Sequence, residues 1–211
     1  LSNEAMGKHC SWRTGGAAEL YYVPADKQDL QLFLSQISTE IALYWLGLGS
    51  NLLVRDGGIK GIVIAPLNKL NELKILESGL VYVESGVTCA KLARFCEKNS
   101  LEGAAFLSGI PGTVGGALAM NAGAFGSETW QFVESVEMMN RYGELSEHAP
   151  YDFEVSYRSV KLAADEWFSA GLFKFTTLPI THRPSPIKPL LQKRNASQPI
   201  GLASCGSVFK N

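Results

Sequence analysis

Gly109-Ile-Pro-Gly-Thr-Val-Gly-Gly-Ala-Leu-Ala-Met-Asn-Ala-Gly-Ala-Phe-Gly126 cannot build a core through side-chain bulk. What it offers is bare backbone. Glycine reaches φ > 0 and lets N–H groups approach a ligand closely. Successive exposed N–H groups form a nest for an anion. Thr113 adds a hydroxyl, and Asn121 an amide that serves a ligand or caps a turn. A long, flat, anionic ligand with a diphosphate suits such a run. A lone glycine cluster reads more simply as a turn between strands, but the length of this one and a second cluster upstream, Gly47-Leu-Gly-Ser-Asn-Leu52, favour a ligand site.

The composition frames that reading. With 211 residues the chain makes one large domain or two smaller ones, and 46% hydrophobic residues allow a sizeable core. Only 18% are charged and the net charge is −1, so no field draws the protein to nucleic acid or an anionic membrane. A local basic site for a phosphorylated ligand remains open. No apolar run approaches the roughly 20 residues of a membrane helix. Leu1-Ser2-Asn3-Glu4 lacks the features of a signal peptide, and the missing Met leaves the true beginning upstream of Leu1 as an expectation. Cys10, Cys89, Cys96 and Cys205 form no CxxC pair and the histidines are scattered, so no zinc site is expected. The cysteines read as reduced thiols of a cytoplasmic protein.

Taken in order, Glu19 to Val23 is a strand that stops at Pro24. Asp26 caps a helix from Lys27 to Ser38 with Leu30, Phe33, Leu34 and Ile37 on one face. Ile41 to Leu46 is a strand running into the first glycine loop, and Gly61 to Ile64 another, which together make a small α/β unit. From Leu73 the pattern changes to hairpins: Leu73–Leu76 with Leu80–Glu84, and Phe132–Asn140 with Leu145–His148. Between them Thr88 caps a helix from Cys89 to Asn99. A polar segment leads to Ser156-Tyr157-Arg158-Ser159, Trp167 to Leu178 alternates as a strand, and Thr181 to Gln198 suits a linker or a helix with a proline-rich approach.

Gly47-Leu-Gly-Ser-Asn-Leu52 misses the third glycine of the dinucleotide fingerprint, and the residues after it look extended, so a Rossmann reading fails on context. A strand-end loop with a diphosphate on its N–H groups remains. Gly47 to Asp56, Gly109 to Ala117, Met120 to Glu128, Tyr157-Arg158 and Gly206 to Asn211 together resemble one family in order and spacing, from about Trp12 to Asn211. That family is the UDP-N-acetylenolpyruvoylglucosamine reductases, also named UDP-N-acetylmuramate dehydrogenases (the MurB family). The resemblance implies an α+β fold: a two-lobed FAD-binding module like that of vanillyl-alcohol oxidase, followed by the start of a substrate-binding domain. The borders expected are 1–67 and 68–192 for the lobes and 193–211 for the incomplete third domain.

The resemblance also implies an activity. NADPH reduces a noncovalently held FAD, which reduces the enolpyruvyl ether of a UDP-sugar to UDP-N-acetylmuramate in bacterial peptidoglycan synthesis, in the cytoplasm and by a monomer. The FAD would lie on Gly47, Gly49, Ser50, Asn51 and Leu52 of the first loop. On the second stretch it would lie on Ile110, Pro111, Gly112, Thr113, Gly115, Gly116, Ala117, Asn121, Gly123 and Ala124. Arg158 matches the family's arginine after tyrosine, and Ser207 its proton-donating serine. Tyr157, Arg194, Lys210 and Asn211 match or neighbour positions at the sugar nucleotide; Arg194 reads equally well as a solvated charge.

Leu48 and Ala105 replace the family's usual glycine and glutamate. Family members continue past the serine motif to a catalytic glutamate, so the chain reads as a fragment of a complete enzyme or a partial view of one. Two other readings stay open: a flavin oxidase of the same superfamily acting on a phenol or hydroxy acid, and a noncatalytic flavin-binding fragment. The first commonly links its flavin to histidine or cysteine, and His9, His148 and His182 sit in none of the flavin motifs.

Overall fold

Alternation of short apolar strands with two capped helices builds two lobes. A computed structural model describes residues 1–179, 185–198 and 202–203. The first lobe contains β1 (Ser2–Ala5), β2 (Ala17–Tyr22), α1 (Lys27–Gln36), β3 (Leu43–Trp45) and β4 (Ile59–Ile64). Its four-stranded sheet has the order β1-β2-β4-β3, with β4 parallel to both β2 and β3. Asp26 caps α1 by accepting from Asp29 N–H at 2.8 Å, as the sequence suggested. The helix stops two residues short of the expected Ser38, because Ile37 turns extended and returns its N–H to Leu34 O. Leu30 and Leu34 pack on Ile62 and Ile64.

The second lobe adds, in chain order, β5 (Leu73–Ile75), β6 (Val81–Glu84), α2 (Cys89–Lys98), β7 (Leu101–Glu102), α3 (Val114–Ala119), β8 (Gly123–Ala124) and β9 (Ser127–Glu128). There follow β10 (Val133–Asn140), β11 (Leu145–His148), β12 (Glu154–Ser156), β13 (Ser159–Lys161), β14 (Glu166–Phe173), β15 (Thr176–Thr177) and α4 (Ile187–Ser197). An antiparallel sheet ordered β11-β10-β14-β6-β5 is the backbone of this lobe. Val83, Leu92, Leu107, Leu118, Met138 and Phe173 meet in its core. The strand expected over Trp167–Leu178 ends at Phe173, and Thr176–Thr177 leaves to pair with β7. The border expected at 192/193 falls inside α4, whose Ile187 is buried in the second lobe's core.

Three side chains clasp the lobes together. Lys27 on α1 reaches across to Glu137 at 2.7 Å, Glu84 at 3.1 Å and the Tyr82 hydroxyl at 2.5 Å. Gln31 donates to Gly143 O, and the buried Arg141 donates to Ser38 O and Ile41 O. Burial by itself would lower the Lys27 pKa, but the bonds to Glu137 and Tyr82 outweigh it and hold the ammonium above its ordinary value. A lysine raised in the folded state contributes fully below the unfolded value of about 10.4. It loses that contribution only as pH climbs through the raised folded value, so the clasp stands across neutral pH. Removing one partner of a buried pair costs about 3–5 kcal/mol. Lys27 and Glu137 keep 16% and 24% side-chain exposure, so Lys27→Met is expected to lower the unfolding free energy by less, about 2 kcal/mol. Urea denaturation measures this; an unchanged midpoint would show that the lobes are held by other contacts.

Candidate active site

The site forms where the first glycine loop, the second glycine stretch and the β12–β13 hairpin converge. β3 ends at Trp45, and Leu46 N–H still pairs with Ile64 O. Beyond it, none of the backbone N–H groups from Gly47 to Leu53 donates a hydrogen bond to another described residue. Gly49 supplies the left-handed turn (φ 67°), its carbonyl accepts from Ser11 N–H, and a Cβ there would strike His9 O. A row of unengaged donors of this kind is what an anion nest requires.

The second stretch behaves differently from the expectation. Thr113 accepts from Gly116 N–H at 3.3 Å and so caps a helix within the glycine run. Its N–H groups are mostly engaged inside the protein: Ile110 donates to Leu107 O, Val114 to Val87 O, Gly115 to Ser85 O and Ala117 to Thr113 O. At Gly115 a Cβ would stand 2.7 Å from Ser85 Cβ, so packing against Ser85 already calls for glycine there. Ile110 and Ala117 are buried in the core, and Ala124 packs against it. A Cβ on Gly123 would meet Ser127 O at 2.7 Å, a constraint of the β8–β9 turn. By contrast Gly112 and Gly116 have no neighbour nearer than 3.7 Å on their Cβ side, and Pro111 is exposed. This open edge is what the stretch can present to a ligand.

The two stretches touch. A Cβ on Gly47 would lie 2.5 Å from Thr113 Oγ1, and one on Gly112 would lie 3.7 Å from Ser50 Oγ. Arg158, at the tip of the β12–β13 hairpin, donates from its guanidinium to Asn51 Oδ1 at 3.3 Å. Leu52 packs on the first lobe's core while Asn51 stays exposed. Tyr157, beside Arg158, is 48% exposed and lines a pocket of about 480 Å³ with Glu128, Trp130, Phe153 and Ser156. Thus Gly47, Ser50, Asn51, Gly112, Thr113, Tyr157 and Arg158 come together from positions distant in sequence. Asn121 lines the same pocket as Tyr157, its side chain engaged with Glu128, Ser156 O and Trp130 N–H. Arg194 is half-buried on α4, and its side chain bonds Gln198 at 3.2 Å among the described residues. Ser207, Lys210 and Asn211 lie outside the described residues.

Sequence reasoning separated His9 from the flavin loops, yet the fold lays it alongside them. A second pocket of about 310 Å³ is lined by His9, Cys10, Tyr21, Gly47 and Leu48. The imidazole bonds Glu4 at 3.0 Å and the Tyr21 hydroxyl at 3.1 Å, so both ring nitrogens are engaged. The bond to His9 holds the Glu4 carboxyl below its ordinary pKa. The signal for this was spatial, since β1 and β2 bracket the His9 turn and pair antiparallel. Burial pushes the Cys89 and Cys96 thiols up to about 12. Both are expected to resist a thiol reagent at pH 8 until the protein is unfolded; prompt labelling would contradict their place in the core.

Comparison with known proteins bears on the family and the fold. The FAD binding domain family matches residues 18–148, across both lobes. The UDP-N-acetylenolpyruvoylglucosamine reductase of Coxiella burnetii (strain RSA 493) is 51% identical over 98% of this chain and 71% of its own length. That of Methylococcus capsulatus is 49% identical over 100% of the chain and 69% of its own. The crystal structure of the Thermus caldophilus reductase (MurB) superposes with a TM-score of 0.81 at 26% identity, over 98% of this chain and 73% of that one. Glucooligosaccharide oxidase from Acremonium strictum, with a 6-S-cysteinyl, 8α-N1-histidyl FAD, shares the fold alone: TM-score 0.56 at 10% identity, over 84% of this chain and 38% of that one. With about half of its residues shared with such relatives over nearly its whole length, the chain belongs to the UDP-N-acetylenolpyruvoylglucosamine reductase family.

Proposed function

We propose that this protein binds FAD noncovalently, takes reducing equivalents from NADPH, and reduces the enolpyruvyl ether of UDP-N-acetylglucosamine enolpyruvate to UDP-N-acetylmuramate for peptidoglycan synthesis. The observation that carries the reading is the run of unengaged N–H donors from Gly47 to Leu53, facing Arg158 across Asn51. The residues present fit the cofactor. A diphosphate is an acceptor-only group and matches the donor loop, and the open edge at Gly112 and Gly116 leaves room for a flat ring. A noncovalent flavin is consistent with the buried Cys89 and Cys96 and with the His9 ring engaged at both nitrogens.

FAD, when bound, supplies the hydride. The chain's residues stabilise and protonate what results. Hydride addition to the enolpyruvyl group puts negative charge on the adjacent carbon and the attached carboxylate. The Arg158 guanidinium, a planar fork, suits that carboxylate, and its partner among the described residues is a neutral amide at 3.3 Å, readily exchanged for an anion. Ser207 is assigned the proton; a serine donates to so strong a base where water is excluded. Tyr157, Lys210 and Asn211 are assigned to the sugar nucleotide, with Arg194 as an outlying contact. No described helix is long and apolar enough to cross a membrane. We place the activity in the cytoplasm, in a monomer, without nucleic acid.

Chemical denaturation of the purified yellow protein, followed by chromatography of the supernatant, tests the cofactor assignment. Intact FAD in the supernatant is the expected result. Colour that stays on the precipitated chain would favour a covalent oxidase. In the full-length protein, NADPH consumption is expected to depend on the enolpyruvyl sugar; consumption driven instead by a hydroxy acid or a phenol would overturn the substrate assignment.

A further inference from the structure

Arg158 stands where its own backbone gives little support. It occupies the two-residue turn between Ser156 and Ser159, at φ 53°, in the left-handed region that favours glycine. The hairpin that carries it has three residues in each strand, and Glu154 to Tyr157 are exposed. A two-stranded hairpin of that size is not stable alone. Asn121 ties it down from beneath. The Asn121 amide nitrogen donates to Ser156 O at 3.4 Å and to Glu128 Oε2 at 2.8 Å, and its oxygen accepts from Trp130 N–H at 3.2 Å. Asn121 is 4% exposed and itself left-handed at φ 40°, a conformation that asparagine tolerates better than most residues.

The chemistry of these partners leaves the amide one orientation. An ionised carboxylate and a carbonyl only accept, and a backbone N–H only donates. Glu128 and Ser156 O therefore take the NH₂ end, and Trp130 takes the oxygen. We propose that Asn121, aimed by Glu128, is a positioning residue that sets where the Arg158 guanidinium stands, and is not a ligand of the flavin. This rests on the reading that Arg158 meets the substrate carboxylate.

The test is Asn121→Asp in the full-length, FAD-loaded protein, alone and combined with Arg158→Lys. An aspartate cannot donate to Ser156 O and sets a second negative charge against Glu128. FAD content and the rate of flavin reduction by NADPH are expected to match the wild type. The kcat/KM for the sugar is expected to fall by about tenfold or more, since a displacement of order 1 Å at a catalytic group can cost ~10²-fold. On the Arg158→Lys background the same change is expected to add less than about twofold, because the two substitutions act through one group. Glu128→Ala, which frees the amide to rotate, is expected to give a smaller loss in the same step, and stands in should Asn121→Asp fail to fold. Loss of FAD with normal sugar kinetics in the loaded fraction would make Asn121 a cofactor ligand and overturn the proposal. Fully multiplicative effects of Asn121→Asp and Arg158→Lys would overturn it too. A wild-type protein that leaves the sugar unreduced, or Arg158→Lys at wild-type rate, would instead remove the reading beneath it.

Discussion

Replacing Arg158 by methionine is expected to lower turnover of the enolpyruvyl sugar by roughly 10²- to 10³-fold, about 3–4 kcal/mol at the barrier, if it acts like other preorganised donors aimed at developing negative charge. Methionine keeps an unbranched apolar stem but removes the charge and every donor. The folded framework should survive, because Arg158 makes one 3.3 Å bond to an exposed amide and no ion pair with a described residue. Reduction of the flavin by NADPH is expected to persist, since that half-reaction does not involve the enolpyruvyl carboxylate. Lysine at the same place retains charge but loses the planar fork, so it should fall between the two. Rapid-mixing absorbance of the flavin separates the halves. Near-normal reoxidation by the sugar in Arg158→Met would remove this residue from the site.

Gly47→Val is expected to abolish stable FAD retention, weakening affinity by roughly 10- to 100-fold if the strain matches the ~1–3 kcal/mol typical of overpacking. The reason lies in the contact between the lobes. A Cβ on Gly47 would lie 2.5 Å from Thr113 Oγ1, and Thr113 is only 2% exposed. The same oxygen caps α3 through Gly116 N–H, so it cannot move aside without loosening that helix. The added side chain therefore pushes the donor loop away from the open edge at Gly112. Gly57→Ala serves as the control, because nothing lies within 4 Å of its Cβ position. Fluorescence titration with FAD measures both. Equal affinities for the two variants would mean that the loops need not meet to hold the cofactor.

Much of this framework was legible because its signals are local. Asp26 and Thr88 cap their helices as read, each accepting from the N–H three residues on. The hairpins around Ser78-Gly79 and Tyr142-Gly143 form where alternation and turn residues placed them. The glycine-rich stretch was read as a nest, whereas most of its N–H groups are engaged inside the protein. Glycine disfavours helix strongly, so α3 left no local trace. It forms because Val114, Ala117 and Leu118 are buried and Thr113 caps it. Its glycines serve two different needs, close packing at Gly115 and an open edge at Gly112 and Gly116, and a string of glycines does not distinguish them. The clasp through Lys27 and Arg141 joins residues about a hundred positions apart, and such pairs have no period in the chain. Asn121 shows the same limit from the other side. Its place in the motif was plain, whereas its engagement with Glu128, Ser156 and Trp130 depends on how the β12–β13 hairpin folds over it.

The central claim is that the Gly47–Leu53 loop, the edge at Gly112 and the Arg158 hairpin form one flavin site that passes reducing equivalents from NADPH to an enolpyruvyl sugar nucleotide. An anaerobic single-turnover experiment on the full-length, FAD-loaded protein tests it most directly. Mixing with one equivalent of NADPH is expected to bleach the flavin absorbance, and a second mix with UDP-N-acetylglucosamine enolpyruvate to restore it fully within the turnover time, with one UDP-N-acetylmuramate formed per flavin. A flavin that stays bleached in the presence of the sugar would contradict the account.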